Sequence, residues 1–301
     1  MKGASAILTA DWHTRASTPV CREGDFLESF EQKVMFIKNL SQKHDCPVLI
    51  AGDIGDRHQW PNWLLEWFVN LVDAMNIIAI PGQHDIPNHR LEDINRSGVG
   101  VLSATDTIDL RTETFVTIEK DFNLVSFPYS KPINHFKINR ETGDYPKVAI
   151  THQMIIEDKP LWPGQEAIKG NQLLRKFPEY DLVLVGDNHN SFIAKYKGRV
   201  LVNPGSLMRT TSAQVDHKPR VYLWWADTNE VEAVYLPIKE GVVSREHIEV
   251  ENERDERMLA YLERMETDYE IGFSYEKNLE KHLEVNKIEE EVETKIWENV
   301  V

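Results

Sequence analysis

Residues 47–56 read Pro-Val-Leu-Ile-Ala-Gly-Asp-Ile-Gly-Asp. Four consecutive apolar residues between Pro47 and Gly52 predict a short strand apolar on both faces, as a strand covered from both sides must be. The strand runs straight into a glycine and two aspartates, Asp53 and Asp56. In α/β sheets ligand sites collect at such carboxyl ends, and glycine there lets the backbone turn sharply beside a ligand. The same device recurs along the chain. Ser5–Ala10 leads into Asp11-Trp12-His13, Ile77–Ile80 into Gly82-Gln83-His84-Asp85, Val148–Thr151 into His152, and Leu182–Val185 into Gly186-Asp187-Asn188-His189.

Amphipathic segments separate these strands. Asp25–His44 carries Phe26, Phe30, Val34, Ile37 and Leu40 at helical spacing, and Pro61–Met75 and Gln165–Lys176 are also predicted helices. Strand and helix in alternation predict a layered α/β domain. From Ser191 to Pro237 the pattern changes to short β runs, Phe192–Tyr196, Val200–Val202, Val221–Trp225 and Val231–Leu236, punctuated by turn residues. Beyond Gly241 the chain is charged and helical in pattern, over Arg254–Thr267 and Glu276–Trp297. The expected division is therefore a core over residues 1–240 and a small acidic helical appendage over 241–301.

The 301 residues are 41% hydrophobic, enough for a substantial core. No apolar run has membrane length and no basic-then-apolar leader opens the chain, so neither a spanning helix nor a signal peptide is expected. Cys21 and Cys46 cannot build a disulfide framework and lie near no zinc-finger spacing, which makes the cytoplasm the expected compartment. The net charge is −15, and residues 245–301 alone hold 18 Asp and Glu against 8 Lys and Arg. The acidity thus belongs mainly to the tail. Such a chain lacks the basic footprint of a protein that binds nucleic acid unaided.

Asp oxygens and His nitrogens gathered from five strand ends can hold two divalent cations, one Asp bridging both. Two cations about 3.5–4 Å apart orient and acidify a water and stabilise the leaving oxygen of a phosphoester. Each motif alone is common as a plain structural turn. Five in this order, each after a strand, are not.

In that order the motifs resemble those of calcineurin-like metallophosphoesterases, over roughly residues 5–236. Within that superfamily the sequence is most similar to SbcD-type DNA repair nucleases and their phage-encoded relatives. The nearer likeness rests on the long Asp25–His44 helix, the Pro81-Gly82-Gln83-His84-Asp85 loop and Asn203-Pro204-Gly205-Ser206. The resemblance implies a layered β-sandwich flanked by helices. It implies that Asp11, His13 and His189 hold one cation, that Asp53 bridges, and that Gln83, His152 and Asp187 complete the second site. His84 would face the scissile phosphate, stabilising its charge or protonating the leaving oxygen. Asp56 would orient His84 through a hydrogen bond, and Arg15 and Arg57 are candidates for phosphate contact. His89, five residues past His84, is a candidate for a secondary substrate contact. A homodimer, DNA as substrate and an SbcC-like coiled-coil ATPase as partner follow from the same likeness, while the lack of an apolar run of membrane length predicts no membrane association. For a phage-encoded protein the compartment would be the bacterial host cytoplasm.

Two positions depart from the family pattern. Its Asn is Gln83 here, and the first His of its last pair is Asp187. Both fall on the second cation site, which would then present mostly oxygen and favour Mn²⁺, or Mg²⁺, over Zn²⁺. The alternative is a weakened second site in a largely inactive relative.

Trp60, Trp63, Trp67 and Leu71 lie at helical spacing, with Leu64 and Phe68 beside them. The helix has two apolar flanks, more than one packing face requires. A core-facing helix explains one flank, and in SbcD-like proteins helices of this region form the dimer interface. His58 and His135 lie in loops and read as solvated, and Asp216, His217, Lys218 and Arg220 as a polar turn or the mouth of the site. In the tail Leu259, Leu262 and Met265, then Leu279, Leu283, Ile288, Val292 and Ile296, form an apolar stripe suited to a cap or to docking in a partner's groove. Three functions fit these residues: a metal-dependent exonuclease or endonuclease, a phosphodiesterase or phosphatase acting on small molecules, and a non-catalytic interaction module on the same fold.

Overall fold

A computed structural model describes residues 3–136, 145–160, 167–244, 275–286, 288 and 290–298. The chain divides into two compact units, Met1–Ser244 and Arg245–Val301. In the first, β1 (Ala6–Thr9), α1 (Phe26–His44), β2 (Val48–Ala51), α2 (Asn62–Val72), β3 (Ile77–Ile80), α3 (Gly98–Ala104), β4 (Asp109–Leu110), β5 (Val116–Ile118) and β6 (Asn123–Phe127) come first. After them follow β7 (Lys147–His152), β8 (Ile155–Ile156), β9 (Ile168–Lys169), α4 (Gly170–Lys176) and β10 (Leu182–Gly186). The first unit closes with β11 (Phe192–Tyr196), β12 (Arg199–Asn203), β13 (Arg220–Trp225) and β14 (Glu230–Tyr235).

Two six-stranded sheets carry the unit, in the orders β14-β13-β1-β2-β3-β4 and β11-β12-β10-β7-β6-β5. The first is parallel from β1 to β4, with β13 and β14 added antiparallel. In the second, β6, β7, β10 and β12 are parallel, and β5 and β11 are antiparallel edges. The period of two along each strand sends alternate residues to opposite faces. Leu8, Leu49 and Ile78 of the first sheet meet Leu124, Ile150 and Leu184 of the second between the sheets. Their neighbours Ile7, Ile50 and Ile77 turn outward and are covered by Phe30 and Ile37 of α1 and Phe68 of α2. On the far side Val125, Ala149 and Val183 pack with Leu173 and Leu174 of α4. The result is the layered α/β domain that alternating strands and helices predict, in the form the resemblance implies, a sandwich flanked by helices. Parallel strands bring the carboxyl ends of β1, β2, β3, β7 and β10 to one rim.

Helix α1 begins where Asp25 accepts from the Glu28 amide at 3.1 Å, and it ends on Asp45 in the left-handed conformation. Helix α2 starts one residue after Pro61 and stops at Val72, three residues short of the sequence expectation. The helix expected over Gln165–Lys176 begins only at Gly170, because Ile168 and Lys169 pair in parallel with Ile155 and Ile156. Part of that expectation falls on 161–166, outside the described residues. Strand β6 is fully buried although Asn123 and Ser126 interrupt its apolar run. The Ser126 hydroxyl donates to the Glu113 carbonyl at 2.8 Å, which satisfies it inside the sheet layer.

Cys21 and Cys46 are free and buried. No helix among the described residues is long and apolar enough to cross a membrane. In the second unit the helical pattern of Glu276–Trp297 is divided between α5 (Tyr275–Asn286) and α6 (Glu290–Glu298). Leu283 is buried, Leu279, Ile288 and Ile296 are half-buried, and Val292 is exposed. Arg254–Thr267, with Leu259, Leu262 and Met265, lies outside the described residues.

Candidate active site

The loops after β1 and β2 travel together: His13 donates its amide to the Asp53 carbonyl at 3.0 Å, and Thr14 to that of Ile54 at 2.8 Å. Trp12, fully buried in the helical layer, stacks edge-on against Phe30 and donates its indole N–H to the Thr9 hydroxyl at 2.9 Å. That anchor fixes the loop on which Asp11 and His13 stand. Asp11, His13, Asp53 and Asp187 all hold positive φ, at 50°, 47°, 51° and 84°. Non-glycine residues in this region carry a conformational cost and concentrate at functional sites. At the β3 end Gly82 passes so close to β2 that a Cβ there would lie 2.1 Å from Asp53 Oδ1.

The expected residues come together. Ligand atoms of Asp11, His13 and His189 lie within 4.8 Å of one another, as do those of His13, Asp53 and His84, and those of Asp11, Asp53 and His152. His13 Nε2 and His189 Nε2 are 3.0 Å apart. His152 donates its Nδ1–H to the Ala51 carbonyl, 2.7 Å away, which leaves Nε2 turned to Asp53 Oδ2 at 3.4 Å. Anchoring one ring nitrogen on a carbonyl is how a metal-ligating histidine is held. Asp53 thus sits amid His13, His84 and His152, where a bridging carboxylate belongs. Asp11, which the resemblance gives to one cation, also groups with Asp53 and His152.

The two departures from the family pattern touch. Gln83 donates its amide to Asp187 Oδ1 at 2.8 Å, and the Asp187 backbone N–H donates to both oxygens of Asp11, at 3.1 and 3.2 Å. Three buried atoms here have no hydrogen-bond partner among the described residues: Asp53 Oδ2, Gln83 Oε1 and His152 Nε2. Unpaired buried polar atoms are costly. Two oxygens and an imidazole nitrogen left open together form a donor set that a divalent cation satisfies.

The charges agree. Burial pushes the Asp11 carboxyl up to about 8, with His152 opposing. Burial pulls His13 down to about 3 and lowers His189. Burial also acts against the charges of Asp53 and His152, but their mutual attraction overrides it. Asp53 is held below the usual carboxylate range and His152 is raised to about 10. A protonated His152 supplies positive charge that a cation would replace, and cation binding releases such protons.

His84 differs from the rest: its side chain is 46% exposed. Its Nδ1 lies 3.1 Å from the backbone carbonyl of Asp56, and its Nε2 lies 3.9 Å from Asp53 Oδ2. The sequence suggests that Asp56 orients His84; the atom placed to do so is the main-chain oxygen. The Asp56 carboxylate faces Arg15 instead, at 3.3 Å. Arg15 also donates to Ser17, and Arg57 is exposed beside them. His89 is exposed with its ring against Tyr129. His135 pairs with Glu179, and His217 reaches the Ser206 carbonyl, so both serve local structure.

Sequence reasoning assigned no role to Asp85. Fully buried, its carboxylate accepts from the amides of Ile54, Gly55 and Gly82, and so ties the β2 loop to the β3 loop. Its place at the end of Gly82-Gln83-His84-Asp85 was the available signal. Asn203 is likewise buried and donates to the carbonyls of Asn188 and Asn190, bracing the loop that carries Asp187 and His189.

A two-sheet sandwich that gathers aspartates and histidines on one rim, beside one exposed histidine, defines a metal-dependent phosphoesterase. The chain belongs to the calcineurin-like phosphoesterase family, whose sequence model matches residues 5–191. No curated protein matches it. Among solved structures it is similar to an archaeal phosphodiesterase, with 14% identity, a TM-score of 0.42 and coverage of 77% of this chain and 99% of that one. It is also similar to zinc-complexed Vps29 from Entamoeba histolytica, with 14% identity, a TM-score of 0.37 and coverage of 76% and 98%. A third is phosphopantetheinyl hydrolase from Mycobacterium tuberculosis, with 11% identity, a TM-score of 0.43 and coverage of 77% and 96%.

Proposed function

We propose that this phosphoesterase is a divalent-cation-dependent nuclease of the SbcD type, cleaving DNA phosphodiesters as an exonuclease or endonuclease in repair, recombination or phage DNA processing. The observation that carries this reading is the placing of His84, half-exposed next to a buried Asp and His cluster and held by the Asp56 carbonyl. Asp11, His13, Asp53 and His189 would hold one cation, and Asp53, Gln83, His152 and Asp187 a second. When bound, the pair supplies charge neutralisation and an acidified water. His84 then presents Nε2 to the leaving oxygen and donates a proton to it, while Nδ1 stays fixed on Asp56. Oxygen donors at Gln83 and Asp187 favour Mn²⁺, with Mg²⁺ second.

Exposed Trp63 and Val69 on α2 support a homodimer contact on that helix. The acidic tail and the want of a basic footprint support a basic or ATP-driven partner of the SbcC kind to supply DNA affinity, inside a bacterial cytoplasm. The same lack of a basic footprint favours a second reading, a small phosphodiester or phosphomonoester as substrate.

The test is degradation of a labelled linear duplex with added Mn²⁺. His84→Ala is expected to lower the rate about 10²–10⁴-fold at unchanged metal content. Undiminished cleavage by that variant overturns the mechanism. Turnover of bis-p-nitrophenyl phosphate without any action on the duplex selects the small substrate.

A further inference from the structure

Asp11 and His189 follow β1 and β10, strands of opposite sheets, and their ligand atoms group around one candidate cation. A single segment touches the backbone of both. Beyond β12 the chain runs Pro204-Gly205-Ser206-Leu207, where the Ser206 amide donates to the His189 carbonyl at 3.2 Å and the Leu207 amide to the Asp11 carbonyl at 3.0 Å. Ser206 also forms an isolated parallel bridge with Ala10. Glycine is required where this strap passes His189: Gly205 has a φ of +73°, and a Cβ there would lie 2.6 Å from the His189 carbonyl oxygen. Asp11 is thereby held from both sides, since its own amide donates to the Gly52 carbonyl at 3.1 Å. Its left-handed φ of 50° persists because these bonds over-determine it. The strap thus fixes how far apart two ligands of one cation stand.

Ser206 is itself fully buried, and a second segment holds it. Thr211–His217 folds as successive turns, the Gln214 amide on the Thr211 carbonyl at 3.0 Å and the His217 amide on the Gln214 carbonyl at 3.0 Å. Side chains three residues apart in such turns lie on one side, and both of these reach Ser206. Gln214 donates its side-chain amide to the Ser206 hydroxyl at 2.6 Å, and that hydroxyl donates to the Met208 carbonyl at 2.9 Å. His217 donates Nε2–H to the Ser206 carbonyl at 2.8 Å.

The two side chains differ in what else they do. Gln214 Oε1 accepts the amides of Thr210 and Thr211 at 2.7 and 3.1 Å, so Gln214 builds its own turn. The His217 ring has no second hydrogen bond among the described residues; its one bond goes to the strap. Removing that donor leaves the carbonyl of a buried residue unpaired, a cost that the strap relieves by shifting. We infer that His217 is a positioning residue for the cation site: through Ser206 it sets the separation of Asp11 and His189, and with it the affinity for the cation they share. This rests on the cation site of the reading above and on nothing about the substrate.

The test is titration calorimetry of the full chain with Mn²⁺, read beside the melting temperature of chelator-treated protein. His217→Gln puts an amide N–H about where Nε2–H stands, His217→Asn is one methylene too short to reach, and His217→Ala has no donor. Orienting contacts behind metal ligands change affinity about 10–100-fold. His217→Asn and His217→Ala are expected to bind Mn²⁺ more weakly by that order, and His217→Gln to restore most of the affinity. Lowered melting temperatures with wild-type Mn²⁺ affinity in all three variants reduce His217 to a local folding role and overturn the inference. Binding by His217→Gln as weak as that of His217→Ala overturns it too, because the donated bond is then not the means. Should His217→Ala fail to fold, the comparison of His217→Asn with His217→Gln decides alone. A wild-type chain that binds no Mn²⁺ removes the cation site itself, and the role of His217 with it.

Discussion

The Gln83 amide and the Asp187 carboxylate meet at 2.8 Å across the rim of the two sheets. These are the two positions at which the motifs leave the family pattern, and they form one unit. Gln has one more methylene than Asn and reaches across, and Asp gives its N–H an acceptor that a second imidazole ligand would not offer in the same way. The Gln83 carbonyl oxygen remains open for a cation.

Such contact predicts strong coupling. Gln83→Asn and Asp187→His, each alone, should weaken Mn²⁺ binding by about 10–100-fold, as lost ligand-orienting contacts do. The double variant restores a matched pair and should recover most of that loss. Titration calorimetry on the wild type, both single variants and the double variant gives the interaction energy, expected at about 2–5 kcal/mol if each tenfold loss is about 1.4 kcal/mol and most of both losses is recovered. Strict additivity would falsify the idea of a unit.

Cation binding should also be visible as stability. A ligand that binds only the folded state stabilises by about 2.7 kcal/mol at a hundred times its Kd, or about 5–11 °C in a unit of this size. Mn²⁺ added to chelator-treated protein is expected to raise Tm by that order. Asp11→Asn should remove most of the rise, because Asp11 groups with His13 and His189 and also with Asp53 and His152. Calorimetric scans that show the same rise in wild type and variant would place the cation elsewhere.

Most of the rim was legible in the sequence because apolar strands and polar strand ends are local patterns. Val48–Ala51 and the Gly52–Asp56 turn announce themselves, as do the ends of β1, β3, β7 and β10. What was not legible depends on contacts distant in sequence. Asn123 and Ser126 hide strand β6, since the partner that satisfies Ser126 is the Glu113 carbonyl across the sheet. The role of Asp56 was half visible: proximity to His84 could be guessed, but side chain and main chain differ only once Arg15 claims the carboxylate. Asp85 looked like one more rim carboxylate, and only its three amide donors show that it braces the loops.

That bracing has a measurable consequence. Asp85→Asn keeps one acceptor oxygen but turns an NH₂ toward the amides of Ile54, Gly55 and Gly82. Losing hydrogen bonds to a buried charged acceptor and orphaning donors should cost about 3 kcal/mol. Urea unfolding should report that loss, together with weaker Mn²⁺ binding, because the same carboxylate sets the spacing between Asp53 and Gln83. A variant as stable as the wild type would show that the loops hold their positions without it.

Lys33 on α1 supplies a pH-dependent test remote from the rim. Its amine is buried, donates to the Leu207 carbonyl at 3.2 Å and lies against Met208 Sδ at 3.3 Å. Burial, reinforced by Arg22 and Arg209, pushes it down to about 7. In the unfolded chain a lysine keeps its proton to about 10.4. Between those values the unfolded state binds more protons than the folded one, so stability rises with pH across this window. Below about 7 both states are protonated and the full penalty of the buried charge persists. Lys33→Met removes this contribution, leaving only a pH-independent cost at the Leu207 carbonyl. The wild type should therefore gain stability on the variant from pH 7 to 10, at no more than about 1.4 kcal/mol per pH unit. Urea unfolding of both proteins at pH 6, 8 and 9.5 measures the difference, and a gap that stays constant with pH would show that Lys33 remains charged in the core.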